Sequence, residues 1–356
     1  MDAHLMLAIA EGCTPTPVAA LLDPDADPRA LLADPPTDLA PSVLRRLRDP
    51  SLAARALRIR AEAEQLGLSV LTPDHVDYPS RLRRAPLRPL VLFARGDPQV
   101  AEEDRRALAV VGSRTPTPYG LAAARDFASA AARAQVVIWS GLAFGIDAAA
   151  HEAALAMHTP TVAVQAGGLD EVQPPSHTAL ARRIVDAGGL LLSEAPPGMR
   201  PLRGHFPRRN RILASASEAV LVIEAGERSG ALHTAHHAAE LGVAVFAVPG
   251  PYTSPRSRGC HALLAEGAAI AVDPEAVMRA LSIEGSLRDP HAGDGLERDA
   301  DRIAVLTTLA QGPRPADLVM RESRLDAPRY LAAVMALLEE GAVIQLAGDL
   351  LARCRS

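Results

Sequence analysis

The sequence predicts an α/β protein built on a doubly wound parallel sheet, and two patterns in its 356 residues carry that reading. From Ala107 onward, short aliphatic runs alternate with amphipathic stretches, and the runs are apolar at nearly every position rather than at every second one. Strands buried on both faces read this way, and helical crossovers between them give a parallel sheet covered on both sides. Hydrophobic residues make up 48% of the chain but aromatic ones only 3%, so the core under those helices is aliphatic.

Residues 1–80 read as short helices separated by proline-rich turns (Thr14-Pro15-Thr16-Pro17, Pro35-Pro36, Asp49-Pro50), ending in the amphipathic run Leu52 to Leu68. A proline-rich stretch, Tyr78 to Pro89, leads into a short strand, Leu90 to Phe93. The strands of the α/β region, taken as 81–282, are Ala107 to Val111, Val136 to Trp139, Thr161 to Gln165, Leu190 to Leu192, Ala219 to Ile223, Ala244 to Val248 and Ala269 to Val272. Helices are expected at Tyr119 to Ala132, Ile146 to Met157, Thr178 to Asp186, Asn210 to Ser215 and Ala231 to Leu241. Residues 283–299, with Gly285, Pro290, Gly293 and Gly295, have linker composition. In 300–356, helices Arg302 to Ala310, Pro315 to Arg321 and Ala327 to Glu340 precede strands Ala342 to Leu346 and Leu350 to Arg353, the order of a winged helix. Its third helix carries Arg329 but also Glu339 and Glu340, so charge does not support DNA reading there.

Cys13, Cys260 and Cys354 lie far apart, without zinc-site spacing or an even-numbered disulfide framework, which fits a reduced, cytoplasmic protein. No apolar run approaches a membrane span, and Asp2 and Glu11 stand where a signal peptide would be basic. No metal or cofactor is expected. All 37 basic residues are arginine, so a Walker lysine is impossible, and Gly112-Ser113-Arg114 does not complete a dinucleotide fingerprint. His233 and His237 have the i, i+4 spacing of a metal pair but lack the accompanying glutamate and any third ligand nearby.

Charge singles out one segment. The chain carries a net −5, yet between Glu194 and Glu218 lie Arg200, Arg203, Arg208, Arg209 and Arg211 with no carboxylate among them. Phe206-Pro207-Arg208-Arg209-Asn210-Arg211 reads as a short turn in which guanidinium forks face phosphate oxygens and Phe206 offers a ring to a base. The same residues also fit an arginine-rich helix start held by neighbouring carboxylates. In parallel sheets ligands bind beyond the carboxyl ends of strands. There, Gly112-Ser113-Arg114, the loop Ser140 to Asp147 and the loop Glu224 to Gly230 bring glycines and helix N-termini suited to an anion. Asp147 has the position of a helix cap, and no nucleophile, base and orienter form a catalytic set.

Five motifs in one order carry a resemblance: Gly112-Ser113-Arg114; Ser140-Gly141-x-Ala143-x-Gly145-Ile146-Asp147; Phe206-Pro207-x-Arg209-Asn210-Arg211; Glu224-Ala225 with Ser229-Gly230 and Thr234-Ala235; and Val248-Pro249-Gly250. Over about Tyr78 to Pro274 the chain closely resembles the bacterial DNA-processing protein A (DprA/Smf) family. The resemblance implies an extended Rossmann-like domain flanked by an N-terminal helical, sterile-alpha-motif-like (SAM-like) domain and a C-terminal winged helix. It implies a homodimer that binds single-stranded DNA without catalysis, protects incoming strands in natural transformation, and loads a RecA-class recombinase onto strands covered by single-strand-binding protein. Carried over by position, the DNA contacts would be Gly112, Ser113 and Arg114; Ser140, Gly141, Ala143, Phe144 and Gly145; Arg203; Phe206, Pro207, Arg208, Arg209, Asn210 and Arg211; and Ser229 and Gly230. His177, Val243 and His261 depart from the family pattern. The competing reading is a nucleotide-processing enzyme like the lysine-decarboxylase-like phosphoribohydrolases, but the stretch Glu224 to Ala235 lacks that family's motif glutamate after Ser229-Gly230. A third is a scaffold whose arginine turn is internal.

Overall fold

The structure, a computed structural model, describes residues 2–12, 27–37, 39–281, 301–309, 312–339, 342–346 and 350–353. Its contacts divide the chain into two compact units, Met1–Leu287 and Arg288–Ser356. The expected linker 283–299 lies outside the described residues.

The first unit holds nine strands: β1 (Ser69–Leu71), β2 (Leu92–Gly96), β3 (Ala107–Val111), β4 (Val137–Ser140), β5 (Thr161–Gln165), β6 (Leu190–Ser193), β7 (Ala219–Val222), β8 (Ala244–Ala247) and β9 (Ala269–Ile270). They are ordered β1-β2-β6-β5-β4-β3-β7-β8-β9. The strands from β3 to β9 run parallel, while β1 and β2 pair antiparallel at the β6 edge. The chain fills the sheet outward from β3 to β6, then crosses back to lay β7 on the other side of β3. That reversal opens a crevice at the carboxyl ends of β3 and β7.

Strand periodicity sorts the core into two layers. Ala107, Ala109 and Val111 face one layer with Val137, Trp139 and Val222, under α9 (His205–Ala216), α10 (Ala231–Glu240) and α11 (Arg258–Ala265). Leu108, Val110, Ile138 and Leu221 face the other, under α6 (Pro118–Arg133), α7 (Ile146–Ala156) and α12 (Pro274–Ala280). The facing surfaces of α6 and α7 are alanine-rich (Ala124, Ala128, Ala131 against Ala150, Ala154), and with such small side chains helices approach closely. Toward β2 and β6, α8 (Thr178–Asp186) shares a further cluster with the N-terminal helices α1 (Ala3–Glu11) and α4 (Leu52–Gln65). Between these lie α2 (Pro28–Ala33) and α3 (Pro41–Leu47), and α5 (Ser80–Arg83) follows β1. Among the described residues no helix is long and apolar enough to cross a membrane.

Two elements differ from expectation. Ser69–Leu71, in the span read as helical, forms an edge strand on β2. The segment Phe206 to Arg211 is the first half of α9, which starts at His205, so of its two readings the arginine-rich helix start applies and not the turn. Proline is tolerated in a first helical turn because its missing N–H has no intrahelical acceptor there, so Pro207 does not break the helix.

That helix settles the fate of two arginines. Arg208 and Arg211, one turn apart, both turn to Glu194 at the end of β6: Arg208 Nε lies 2.8 Å from Oε2, and its Nη2 and that of Arg211 lie 3.0 and 2.5 Å from Oε1. Arg208 also donates to the Gly12 carbonyl and pairs with Glu11 at 3.3 Å, and Arg211 donates to the Leu87 carbonyl. Burial alone would raise the Glu194 pKa, but Arg211 and Arg208 hold it below the usual carboxylate range.

The second unit contains α13 (301–308), β10 (Arg314–Pro315), α14 (Ala316–Ser323), α15 (Ala327–Glu339), β11 (Val343–Leu346) and β12 (Leu350–Arg353), with an antiparallel sheet ordered β10-β12-β11. Val305, Val319, Val334, Leu337 and Leu351 form its own core. Arg329 on α15 is held by Asp301 through bonds of 3.0 and 2.8 Å.

Glu194→Gln removes the charge that compensates two buried guanidinium groups, and breaking a buried ion cluster this way costs about 3–5 kcal/mol. Chemical denaturation of the variant is expected to show a loss of that order. In the parent protein the cluster's contribution is complete above the unfolded carboxyl pKa of about 4.3 and disappears as pH falls through the depressed folded value.

Candidate functional site

A solvent-open cleft of roughly 700 Å³ lies over the crevice between β3 and β7, with α9 as one wall and the loops after β3, β4, β7 and β8 around it. The loop after β3 is stitched into place: Ser113 N–H donates to the Glu224 carbonyl at 2.7 Å, and the Ser113 carbonyl accepts from Ile146 N–H at 3.1 Å. A Cβ on Gly112 would sit 2.7 Å from Ile146 and 3.0 Å from the Glu224 carbonyl, so only glycine lets the two loops close this far. Arg114 leaves this stitched loop into the cleft, its guanidinium carbon 4.8 Å from the centroid of Phe206. The pair is a cation–π contact.

The loop after β4 is shaped from beneath. Ser140 Oγ donates to the Val110 carbonyl at 2.6 Å, tying β4 to β3. Arg209, 7% exposed, reaches from α9 to the carbonyls of Gly141, at 2.7 Å, and Val164. Its guanidinium occupies the place a side chain at Gly141 would take, which is why that position is glycine. Asp147, in the first turn of α7, accepts from the Gly141 and Ala143 amides at 3.1 and 3.3 Å. Burial raises the Asp147 pKa, against Arg209 and the two amide bonds. Burial lowers Arg209 to about 10, against the attraction of Asp147, so the guanidinium stays charged at neutral pH. Asp147 is therefore a tie for the loop, while Gly145, with φ +80°, stands at the N-cap.

Placed in the structure, the residues expected at the site divide into two groups. Gly112, Ser113, Arg114, Ala143 and Arg203 line the cleft, as do Phe206, Pro207, Arg209, Asn210, Ser229 and Gly230. Ser140, Gly141 and Gly145 do not; they hold its walls. Phe144 points elsewhere, about half exposed, with its ring 4.9 Å from that of His177 in an edge contact. His177 in turn bonds the Leu142 carbonyl through Nδ1 at 2.8 Å, so this departure from the family pattern braces the loop. Arg208 and Arg211 are corrected: Glu194 holds both on the opposite side of α9, and the internal reading applies to them. Asn210 bridges walls, accepting from Arg209 Nε at 3.1 Å and donating to the Gly230 carbonyl at 3.0 Å. His261 bonds the Gly250 carbonyl at 3.0 Å, and Val243 packs against the core.

Sequence reasoning missed Arg228 and Arg256, which also line the cleft. Along the chain Glu227 cancels Arg228, but in space Glu227 pairs with Arg258 at 3.4 Å. Arg256 follows β8 and reaches the cleft only through the fold, bonding Thr115 Oγ1 at 2.9 Å. Among the described residues no ion pair engages Arg114, Arg203, Arg228 or Arg256, and the lining carboxylate, Asp147, is 6% exposed and bonded to backbone. Glu224 is turned away, accepting from Thr117 N–H at 3.2 Å and Thr117 Oγ1 at 2.5 Å at the start of α6.

Beneath the β4 loop, His151 is fully buried. Thr161 Oγ1 donates to the Ile138 carbonyl at 2.6 Å, so it accepts from His151 Nδ1 at 2.9 Å, which leaves Nε2 unprotonated. Burial lowers the pKa to about 3, reinforced by Arg209 and His177.

Sheet and cleft together define an α/β protein with a cationic, aromatic-bearing cleft at the carboxyl edge of its parallel strands. The chain belongs to the DNA recombination-mediator protein A family, whose profile matches residues 69–282. A Mycobacterium tuberculosis protein named, provisionally, DNA processing protein DprA is 39% identical over 304 residues, covering 81% of this chain and 76% of that one. The X-ray structure of DNA processing protein A from Streptococcus pneumoniae superposes with a TM-score of 0.64 at 32% identity, covering 78% of this chain and 97% of that one. The Helicobacter pylori DNA processing protein A, whose single-stranded DNA binding mode has been described structurally, gives a TM-score of 0.54 at 28% identity, covering 60% and 95%.

Arg209→Ala withdraws the clamp from two carbonyls and leaves Asp147 buried without its counter-charge, so thermal melts are expected to show a loss of about 3–5 kcal/mol. Arg114→Ala, at a cleft-lining side chain, loses only the contact with the Phe206 ring and is expected to cost about 0.5–2 kcal/mol. Equal melting temperatures for the two variants would refute the clamp. Between pH 6.5 and about 3 the unfolded chain binds a proton that folded His151 refuses, so stability is present above pH 6.5 and falls as pH drops toward 3. Urea titrations across that range check the slope, which His151→Asn is expected to flatten.

Proposed function

We propose that the protein is a non-catalytic single-stranded DNA-binding mediator of recombination, with the strand seated in the cleft over β3 and β7. The observation that carries this is the combination, on one surface, of the Phe206 ring with four arginines that are outside any ion pair among the described residues. Guanidinium forks hold phosphates irrespective of sequence, and a ring accepts any base, which is the chemistry of general single-strand binding. The binding mode described for the H. pylori relative supports the same ligand. A binding role is further supported by Asp147, which is buried and accepts two amides at Oδ2, and by Glu224, which faces α6 rather than the cleft. Neither is disposed as the general acid or base that the phosphoribohydrolase reading needs.

In this reading the protein works in the cytoplasm as a homodimer, protects incoming strands in natural transformation, and hands them from single-strand-binding protein to a RecA-class recombinase. The helices of residues 1–80 serve as the SAM-like module, 81–282 as the extended Rossmann-like DNA-binding domain and 300–356 as a winged helix. The separate core of the last module and the engagement of Arg329 by Asp301 support placing strand binding outside it.

Titration with labelled oligo-dT, the matching duplex and mononucleotides at several salt concentrations is expected to give strong preference for the single strand. Equal affinity for the duplex would overturn the reading. Deleting residues 300–356 is expected to leave single-strand binding in place. Phe206→Ala is expected to cost about 1–3 kcal/mol of strand affinity with the salt slope unchanged, because stacking releases no counterions. A fall in melting temperature with affinity retained would show instead that the ring serves packing.

A further inference from the structure

We infer that the wall formed by α10 and the loops after β7 and β8 is a second phosphate subsite, which holds an internal phosphodiester of the same strand through Arg228, Arg256 and the hydroxyl of Thr234. The inference rests on the single-strand reading above and adds residues to it. Three independent features converge on this wall. Arg228 and Arg256 come from different loops, both line the cleft, and neither is in an ion pair among the described residues. Arg256 is held ready by its 2.9 Å bond to Thr115 Oγ1, so its charge is positioned before any ligand arrives. Thr234 lines the same wall while only 1% exposed, and its Oγ1 has no hydrogen-bond partner among the described residues.

An unsatisfied buried hydroxyl is costly to maintain, and a hydroxyl that donates to a phosphate oxygen recovers that cost when the ligand binds. The first turn of α10, a ten-residue helix beginning at Ala231, carries Thr234 and contributes the positive end of the helix dipole. Thr234 therefore marks where on this wall the anion sits, and the arginines supply its counter-charge. Arg114 and Arg203 remain for the neighbouring phosphates and Phe206 for a base, so one strand is held at points on both walls. A strand bound this way meets cations on either side of its backbone.

Oligo-dT of about 16 nucleotides, at the long end of single-strand site sizes, is titrated against the full chain at several salt concentrations. Compared with wild type, the Arg228→Ala/Arg256→Ala double variant is expected to lower the salt slope by about 0.7, the amount released per single-strand phosphate. Thr234→Val is expected to lose about tenfold in affinity with the slope unchanged and the melting temperature equal or higher. Arg125→Ala, an exposed cation of α6 outside the cleft lining, is the control for general charge and is expected to match wild type. A double variant with wild-type slope, or an Arg125 variant with an equal drop, overturns the subsite while leaving single-strand binding standing. A loss seen only with 5′-phosphorylated oligonucleotide overturns the internal phosphodiester in favour of a terminal phosphate. Failure of the wild-type chain to bind oligo-dT removes the single-strand reading and the subsite with it.

Discussion

The guanidinium of Arg209, buried between α9 and the strand ends, is the interaction on which the cleft depends. Two carbonyls that end strand segments, Gly141 and Val164, would otherwise face each other across a gap where like dipoles repel. A planar cation with fixed donors satisfies both and is itself balanced by Asp147, which gathers the amides of the same loop. Each partner solves a desolvation problem for the others, and removal of any one exposes the rest. The loop after β4 is consequently held open over the sheet, and the void it leaves is the floor of the site. Small residues follow from this: Gly141 because the guanidinium takes the space of its side chain, and Gly145 because the chain turns through a left-handed conformation beside Ser113.

The same helix keeps its charges apart by periodicity. Positions 208 and 211 share one face of α9 and meet Glu194, whereas 206, 209, 210 and 213 line the cleft. A run that sums to +5 along the chain thus delivers only part of that charge to the ligand surface, while Arg208 and Arg211 fix α9 to Glu194 and Arg208 also reaches Glu11 of α1. The cleft recovers its cationic character from Arg228 and Arg256, supplied by loops that follow other strands. Net charge along a segment is therefore a poor measure of local potential, because side chains three residues apart face one way and those two apart do not.

How much of this was legible follows from which forces act locally. The bounds of β3, β5 and α8 match the reading from sequence because β3 is apolar at every position, β5 frames its apolar Val162–Val164 between Thr161 and Gln165, and α8 is amphipathic throughout. From sequence the start of α9 is open between a turn and an arginine-rich helix start, since Pro207 and a run of arginines suit both until the buried carboxylate that rewards helix formation is known, and Glu194 is 14 residues from Arg208. The three residues of β1 carry too few positions to show alternation. At the site, glycines and Phe206 were readable because their chemistry is local. The separation of Arg208 and Arg211 from Arg209 required the helix phase, and Arg256 required the order of the strands.

One contact sets the terms on which any base reaches Phe206. The Arg114 guanidinium already lies over the ring, so the empty cleft is partly self-satisfied. A base arriving on the far face keeps the pair intact and completes a stack of guanidinium, ring and base. A base arriving on the near face displaces Arg114 and forfeits a cation–π contact of about 0.5–2 kcal/mol in exchange for stacking of about 1–3 kcal/mol. That exchange is close to neutral by itself. The displaced guanidinium remains tethered to a stitched loop within reach of the cleft, where a phosphate on the same strand offers it a bidentate, charge-assisted partner. On the near face, a base and a phosphate that arrive together therefore gain more than either alone, which favours a nucleotide chain over a free base or a free anion.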